Sequence, residues 1–295
     1  MRRGLLAAAA AVVSACSGST NPGGPGPSPP PPTGIAILAG AGDIAACSSP
    51  GAEATAQLLD RISGTVFTAG DNAYPNGSPA QFRDCYDPSW GRHQRRTRPT
   101  PGNHDYEYDA AASGYFDYFG DSAGPRGLGY YSYTVGSWRI YALNSEITGG
   151  ALQAQTQWLR DELAENPACS IAIWHKPLFT SGPNGPNPHM AETWRVLYNA
   201  NVDVVINGHD HLYERFAPQD PEGRPDVARG MRQFTVGTGG VPLYSFGAIK
   251  PNSDVRASVW GVLVLFLADG SYEWNFLPAG IPGANFQDNG RASCH

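Results

Sequence analysis

Short apolar runs, each ending in a polar or glycine-rich turn, recur along the chain and predict buried β-strands. Four of them occupy residues 35–38, 65–68, 170–174 and 202–206. Their apolar positions are continuous instead of alternating with polar ones. That pattern is typical of strands covered on both faces, as in the parallel sheets of α/β proteins.

Helical patterns lie between these runs, at residues 53–62, 153–163 and 192–200. The alternation of strands and helices predicts an α/β core. Near the end of the chain, residues 259–277 form two β-rich runs around Asp269-Gly270, which indicates a β-hairpin. Polar residues follow the carboxyl ends of several predicted strands, where open α/β sheets bind their ligands.

The amino-terminal residues differ from this pattern and read as an export signal. Arg2 and Arg3 precede an apolar stretch at residues 5–13, and small residues lead to Cys16. The stretch is shorter than the ~20 apolar residues of a membrane-spanning helix. Residues 1–16 resemble the signal peptide and lipobox of bacterial lipoproteins, which implies cleavage before Cys16 and lipidation of that cysteine. Ordinary signal-peptidase cleavage nearby is the alternative.

The next segment, residues 17–33, is almost wholly Ser, Gly, Pro, Asn and Thr. Such a composition predicts an extended linker that buries no apolar surface. The remaining residues, 34–295, are expected to form one catalytic domain. We therefore expect an exported protein, at the cell surface or in the periplasm if it is lipidated and otherwise secreted.

The cysteines and the net charge refine this picture. Without Cys16, four cysteines remain, and in an oxidising compartment they predict two disulfides with three possible connectivities. We favour Cys47–Cys85 and Cys169–Cys294. The net charge of −6 predicts no nucleic-acid-binding surface. It still permits phosphate binding if metal ions reverse the field locally.

Five short motifs combine a metal-competent side chain with a glycine or a turn. They are Gly42-Asp43, Gly70-Asp71-Asn72-Ala73-Tyr74, Gly102-Asn103-His104-Asp105, His175 after an apolar run, and Gly208-His209-Asp210-His211. Alone, each is commonly a turn or a cap. The two histidines of the last motif are separated by one residue, so in an extended segment they point the same way. Together the motifs predict a metal site.

This ordered set resembles the calcineurin-like metallophosphoesterases from Asp43 to His211. Two details resemble purple acid phosphatases: Ala45 stands where many family members have a histidine, and Tyr74 follows Asp71 by three residues. The resemblance implies an α/β (α+β) fold, a two-sheet β-sandwich flanked by helices. Its active site would lie at the carboxyl ends of the core strands.

The resemblance also implies a ligand set for two metal ions. Asp43, Tyr74 and His211 would bind one ion, Asn103, His175 and His209 would bind the other, and Asp71 would bridge them. Phenolate and carboxylate suit ferric iron, whereas imidazole and amide oxygen suit a divalent ion such as zinc, manganese or ferrous iron. The expected nucleophile is a metal-bound hydroxide, with no phospho-enzyme intermediate.

Three further residues are predicted to act around the metal ions. In the resembling family, the residue at His104 contacts phosphate and helps to protonate the leaving group, and Asp105 would orient His104 through a carboxylate–imidazole bond. His189 is a second candidate for substrate binding or proton donation. An exposed loop histidine is the alternative at that position.

The leading interpretation is a metal-dependent phosphatase that hydrolyses small phosphate monoesters, with an acid or an alkaline optimum. One alternative keeps the metal core and makes the protein a phosphodiesterase or nucleotidase. Another is a surface module that binds metal or phosphate without catalysis. Membrane contact is expected only through the lipid anchor, and the oligomeric state is left open.

Overall fold

The structure of the chain is a computed structural model that describes Met1 and residues 34–165, 169–280 and 285–295. The predicted signal peptide and linker, with the lipidation site at Cys16, lie outside the described residues apart from Met1. Among the helices of the described part, none is long and apolar enough to cross a membrane.

Two mixed β-sheets form the centre of the domain. The first has six strands in the order β13-β12-β11-β1-β2-β3, and the second has seven in the order β10-β8-β9-β7-β6-β5-β4. The strands are β1 (Ala36–Ala41), β2 (Thr65–Ala69), β3 (Thr97–Thr100), β4 (Tyr131–Val135), β5 (Trp138–Ala142), β6 (Ser170–Ile173), β7 (Val204–Asn207), β8 (Tyr213–Phe216), β9 (Arg232–Val236), β10 (Ser253–Ala257), β11 (Gly261–Ala268), β12 (Ser271–Pro278) and β13 (Asp288–Ser293).

The main hydrophobic core lies between the two sheets. Leu38, Phe67 and Leu265 of the first sheet pack with Ile171 and Ile206 of the second, and all five are buried. All of them except Leu265, which belongs to the predicted hairpin, lie in the continuous apolar runs, so those strands are covered on both faces as their sequences predict. The predicted hairpin is also confirmed, because β11 pairs antiparallel with β12 across Asp269-Gly270.

Helices cover the outer faces of both sheets. They are α1 (Gly51–Leu59), α2 (Pro79–Gln81), α3 (Ser113–Phe119), α4 (Gly149–Glu165) and α5 (Ala191–Asn199). Helices α1 and α3 pack on the first sheet, and α4 and α5 pack on the second. The predicted architecture, a two-sheet sandwich flanked by helices, is therefore confirmed.

Both favoured disulfides are present. Cys47–Cys85 joins the loop after β1 to the turn that follows α2, and Cys169–Cys294 joins the start of β6 to the end of β13. The second bond fixes the carboxyl-terminal residues to the second sheet. Two disulfides fit an oxidising compartment.

Candidate metal centre

The predicted ligands lie in loops at the carboxyl ends of parallel strands from both sheets. Strands β1, β2 and β3 are parallel neighbours, and so are β6 and β7. Asp43, Asp71 and Asn103 follow the first three strands, whereas His175 and His209 follow the other two. The two sheets therefore present their polar loops at one end of the sandwich.

One group of donor atoms gathers around the Tyr74 hydroxyl. Its oxygen lies 2.9 Å from Asp43 Oδ1, 2.9 Å from Asp71 Oδ2 and 3.3 Å from His211 Nε2. His211 Nε2 is also 3.3 Å from Asp43 Oδ1. The side chains expected to share one metal ion are thus in mutual contact.

A second group meets the same oxygen of Asp71. His175 Nε2 lies 3.1 Å from Asp71 Oδ2, and His209 Nδ1 lies 3.2 Å from His175 Nε2. Asn103 directly precedes His104, and the backbone N–H of His104 donates to Asp71 Oδ1 at 2.8 Å. Asp71 Oδ2 therefore touches both groups, as a bridging ligand would.

These side chains have too few protons to satisfy one another. A phenol carries one proton, yet the Tyr74 oxygen is close to two carboxylates and an imidazole nitrogen. In addition, Asn103 Oδ1 is a buried acceptor with no hydrogen-bond partner. Unpaired acceptors that converge in a buried site are costly unless a cation serves them. The donor set therefore fits metal ions.

Backbone carbonyls fix the tautomers of two of the histidines. His175 Nδ1 is 2.8 Å from the Ala69 carbonyl oxygen, and His211 Nδ1 is 2.8 Å from that of Pro242. A carbonyl oxygen only accepts, so Nδ1 carries the proton in both rings. Each Nε2 then points at the carboxylates, and it offers a lone pair to a metal ion once the ring is neutral, which is the usual arrangement of metal-ligating histidines.

Burial and the clustered charges shift the ionisation of these groups. Burial lowers the pKa of His209 to about 3, with the nearby His175 adding to the shift, so the His209 imidazole is neutral. Burial also raises the pKa of the Tyr74 phenol well above its usual value, helped by the charges of Asp43 and Asp71. Tyr74 therefore becomes an anionic ligand only when a nearby cation offsets that negative charge.

Three of the predicted ligands have unusual backbone conformations. Asp43, Asp71 and His209 have φ angles of 59°, 52° and 72°, in the left-handed region that costs such residues roughly 1–3 kcal/mol each. The Asp43 N–H donates to the Gly70 carbonyl oxygen at 3.0 Å, and the His209 N–H donates to Asp43 Oδ2 at 2.8 Å. The first bond joins two loops of one sheet, and the second joins loops of the two sheets.

Glycines in the motifs allow the loops to approach one another closely. A Cβ atom on Gly70 would lie 2.4 Å from His175 Nδ1, and one on Gly102 would lie 2.2 Å from Asp71 Oδ1. No side chain fits at either distance. Gly70 and Gly102 are therefore needed for close packing around the ligands.

His104 lies beside the cluster, and the contacts of Asp105 lie elsewhere in the loop. His104 Nε2 is 3.9 Å from Asp71 Oδ2, and its Nδ1 is 2.6 Å from the Pro75 carbonyl oxygen and 3.2 Å from Glu107 Oε1. The buried Asp105 carboxylate instead accepts hydrogen bonds from the backbone of Gly102 and from Asn72. Those bonds are 2.9 Å from Gly102 N and 2.9 Å from Asn72 Nδ2. Asp105 thus orders the ligand loop, whereas the Pro75 carbonyl and Glu107 orient His104.

His189 stands apart from the other predicted site residues. Its side chain is exposed and lines a cleft with Leu152 and Thr156 of α4. Within the described residues, no hydrogen bond or ion pair joins it to the metal ligands. Its role in catalysis stays a prediction without a contact to support it.

The structure adds residues that the motifs did not reveal. Tyr244 stacks on His211 with ring centroids 3.9 Å apart and planes inclined by 12°, and its N–H donates to the His211 carbonyl oxygen at 2.8 Å. Asn184 Nδ2 donates to the His209 carbonyl oxygen at 2.7 Å, and Asn184 N donates to Asp210 Oδ1 at 3.0 Å. Asp210 was visible within its motif, but nothing in the sequence marked Tyr244 or Asn184.

Comparisons with known proteins identify the family to which the sequence is similar. The family model described as calcineurin-like phosphoesterase matches residues 39–213. An uncharacterised protein of Mycobacterium tuberculosis is 30% identical over 182 residues, which cover 50% of this chain and 34% of that protein. Purple acid phosphatase 18 of Arabidopsis thaliana is 32% identical over 120 residues, which cover 38% of this chain and 26% of the relative.

A solved structure shows the same fold. It is the purple acid phosphatase PPD1 from seeds of yellow lupin, Lupinus luteus, with a TM-score of 0.68 and 20% identity. The match covers 90% of this chain and 55% of the lupin chain. The chain spans about a third or less of the length of the two curated relatives described above.

Proposed function

Since the chain belongs to the calcineurin-like phosphoesterase family, on the branch that resembles purple acid phosphatases, we propose that it hydrolyses phosphate monoesters at a centre of two metal ions. The observation that carries the proposal is the position of Asp71 Oδ2. It lies 2.9 Å from the Tyr74 hydroxyl and 3.1 Å from His175 Nε2, between two groups of donor atoms. One carboxylate oxygen shared by two ligand groups is what a bridged pair of metal ions requires.

The donor groups differ in chemistry, which supports two different ions. Asp43, Tyr74 and His211 would hold ferric iron, because phenolate and carboxylate are hard anionic donors. Asn103, His175 and His209 would hold a divalent ion such as zinc, manganese or ferrous iron, and Asp71 would bridge the two. When bound, such a pair supplies Lewis acidity that activates water and neutralises the charge on the phosphoryl group.

His104 is positioned to handle a proton at the edge of the centre. Its Nδ1 proton is held by the Pro75 carbonyl oxygen at 2.6 Å, so Nε2 donates only when the ring is an imidazolium. The carboxylate of Glu107 also lies 3.2 Å from Nδ1 and helps to fix the orientation of the ring. His104 Nε2 would then donate to the phosphoryl oxygen or to the departing oxygen of the ester.

The substrate class is tested by comparing two esters of one leaving group. We expect p-nitrophenyl phosphate to be hydrolysed with a much higher kcat/KM than bis(p-nitrophenyl) phosphate. A preference for the diester would favour the phosphodiesterase alternative, and no turnover of either ester by metal-replete protein would favour a binding module.

Replacing His104 tests its role as the proton donor. The variant His104→Asn should keep both metal ions and lose roughly 100-fold or more in kcat on an aryl phosphate, because general acid catalysis contributes about 10²–10⁴-fold. Metal analysis and steady-state kinetics measure the two effects. His189→Asn is the matched variant, and the exposed position of His189 predicts a much smaller change. Equal losses in the two variants would contradict this assignment.

The colour of the purified protein tests the proposed ferric site. A tyrosinate bound to ferric iron gives a charge-transfer band in the visible range, so Tyr74→Phe should abolish that band. Tyr244→Phe is the control, because it keeps an aromatic ring stacked on His211 and should keep the colour. An oxidised, fully metallated protein without a visible band would exclude Tyr74 as a ligand of ferric iron.

The proposed setting is outside the cytoplasm. The two disulfides support an oxidising compartment. Export by the signal at residues 1–16, with lipid attachment at Cys16, is part of the proposal. Mass spectrometry of the mature amino terminus tests it, because lipidation predicts a diacylated or triacylated Cys16, and an unmodified terminus would contradict it.

A further inference from the structure

A cavity of about 390 Å³ lies at the end of the sandwich opposite the metal-binding residues. Asp203, which directly precedes β7, and Arg232, the first residue of β9, line one side of it. Cys294 and His295, at the end of the chain, line another side. Because β7 and β9 are parallel, Asp203 and Arg232 both lie at the amino ends of strands whose carboxyl ends approach the metal centre.

Arg232 brings to this cavity a positive charge that contacts the Tyr272 side chain and has no carboxylate partner among the described residues. Its guanidinium carbon lies 4.6 Å from the centroid of the Trp274 ring, and its Nε is buried with no hydrogen-bond partner. Among the described residues, no carboxylate oxygen comes within 4.0 Å of its guanidinium nitrogens. An unpaired, partly buried cation is costly, so an anion that reached it would gain a strong interaction.

The neighbouring Arg215 contacts the same aromatic ring as Arg232 but has a carboxylate partner. Arg215 lies over the same Trp274 ring, at 5.2 Å, but its Nε pairs with Asp288 Oδ2 at 2.7 Å. The two arginines thus share an aromatic neighbour and differ in their partner. Arg232 lines the cavity, and unlike Arg215 it has no carboxylate partner among the described residues.

Asp203 is not an ion-pair partner of Arg232, because its carboxylate already accepts hydrogen bonds from other donors. Its Oδ2 accepts from Ser170 N at 2.8 Å, and its Oδ1 accepts from His295 N at 2.8 Å. The His295 imidazole adds a contact of 3.1 Å to the same oxygen. The repulsion that Asp203 would exert on an incoming anion is therefore largely offset.

The rest of the lining is mostly apolar. Pro218, Val227 and Ala228 form part of the wall together with the Tyr272 ring. Val227 is 88% exposed, so its side chain is accessible to a ligand at the edge of the cavity. A volume of about 390 Å³ is within the range of small-molecule sites, which combine apolar walls with a few polar groups.

We propose that this cavity binds a small organic anion, a phosphate or carboxylate whose charged end pairs with Arg232 and whose apolar part contacts Val227 and Tyr272. The site does not depend on the metal centre and lies at the other end of the strands. Its carboxyl-terminal wall is held in place by the Cys169–Cys294 disulfide.

Calorimetric titration of the metal-replete protein with phenylphosphonate, an aryl anion whose C–P bond phosphatases do not hydrolyse, tests the proposal. We expect two binding events on the wild type, one at the metal centre and one at Arg232. Arg232→Gln should weaken the second at least about tenfold, since a charge-assisted contact contributes about 1.5–3 kcal/mol. Arg291→Gln removes an exposed arginine from β13 that does not line this cavity, and it should keep both events.

A second variant keeps the test decisive if Arg232→Gln is unstable. Val227→Glu places a carboxylate at an exposed position on the edge of the cavity, where it should compete for Arg232 and abolish the same event. Both variants should hydrolyse p-nitrophenyl phosphate at the wild-type rate. If the wild type shows a single binding event and both variants abolish it, the ligand binds at Arg232 and not at the metal centre. That result would support this site and contradict the proposed metal centre. Binding at full affinity in both variants, or one event that neither variant weakens, would overturn the proposal.

Discussion

Replacement of Asp71 by asparagine is expected to reduce phosphatase activity at least about 1,000-fold and to leave at most one metal ion per chain. The reason is the position of Asp71 Oδ2 between the Tyr74 hydroxyl and His175 Nε2. In asparagine an uncharged NH2 group takes the place of Oδ2, and an amide nitrogen offers no lone pair with which to bridge two cations. Losing residues that only orient metal ligands already costs about 10–100-fold, and a bridging ligand should cost more.

The measurements are metal content and kcat on the same preparations. Asp117→Asn is the control, because Asp117 is an exposed aspartate paired with Arg126 at 2.7 Å and should keep two ions and full activity. Asp71→Asn should still fold, since the side-chain oxygen that accepts the His104 N–H is retained. An Asp71→Asn protein with two metal ions and a kcat within about tenfold of the wild type would contradict the bridging role.

Removal of the Cys169–Cys294 disulfide should cause the largest loss of stability. The bond closes a loop with a sequence separation of 125, and constraining such a loop in the unfolded chain is worth about 2–5 kcal/mol. The double variant Cys169→Ser with Cys294→Ser avoids a free thiol. Its free energy of unfolding, measured by denaturant titration without reductant, should fall by that amount, which is a large share of the stability of a typical domain.

Measuring the activity of the variant distinguishes a loss of stability from damage to the metal centre. Cys169 precedes β6, whereas His175 follows the carboxyl end of that strand, so the folded variant should keep its metal ions and its kcat. The Cys47–Cys85 pair closes a loop with a separation of 38, and its removal should cost about 1 kcal/mol less on the same model. An unchanged free energy of unfolding in the Cys169/Cys294 variant would show that the bond does not stabilise the native state.

Much of the fold and the ligand cluster could be predicted because the ligand motifs follow apolar runs that form strands. The apolar runs before Asp43, Asp71, His175 and His209 are strands, and parallel strands bring their carboxyl ends together. The glycines of the motifs were also informative, since the loops at Gly70 and Gly102 have no room for a side chain.

Other features depend on contacts between distant parts of the chain, which no local pattern reveals. β1 pairs with β11, so Ala36 lies opposite Leu267. Tyr244 reaches His211 through a loop with no motif of its own. Asp105 follows His104 directly, yet its side chain turns towards Gly102 and Asn72, because the buried N–H groups there need an acceptor.

Anomalous diffraction from crystals of the purified protein would show whether Asp71 bridges a pair of metal ions. Data collected at the iron edge and at the edge of the divalent metal should show two peaks, ~3.5–4 Å apart, one on each side of the Asp71 carboxylate. The peak beside Tyr74 should be iron. A single peak, or two peaks that do not share Asp71, in metal-replete and active protein would contradict the account.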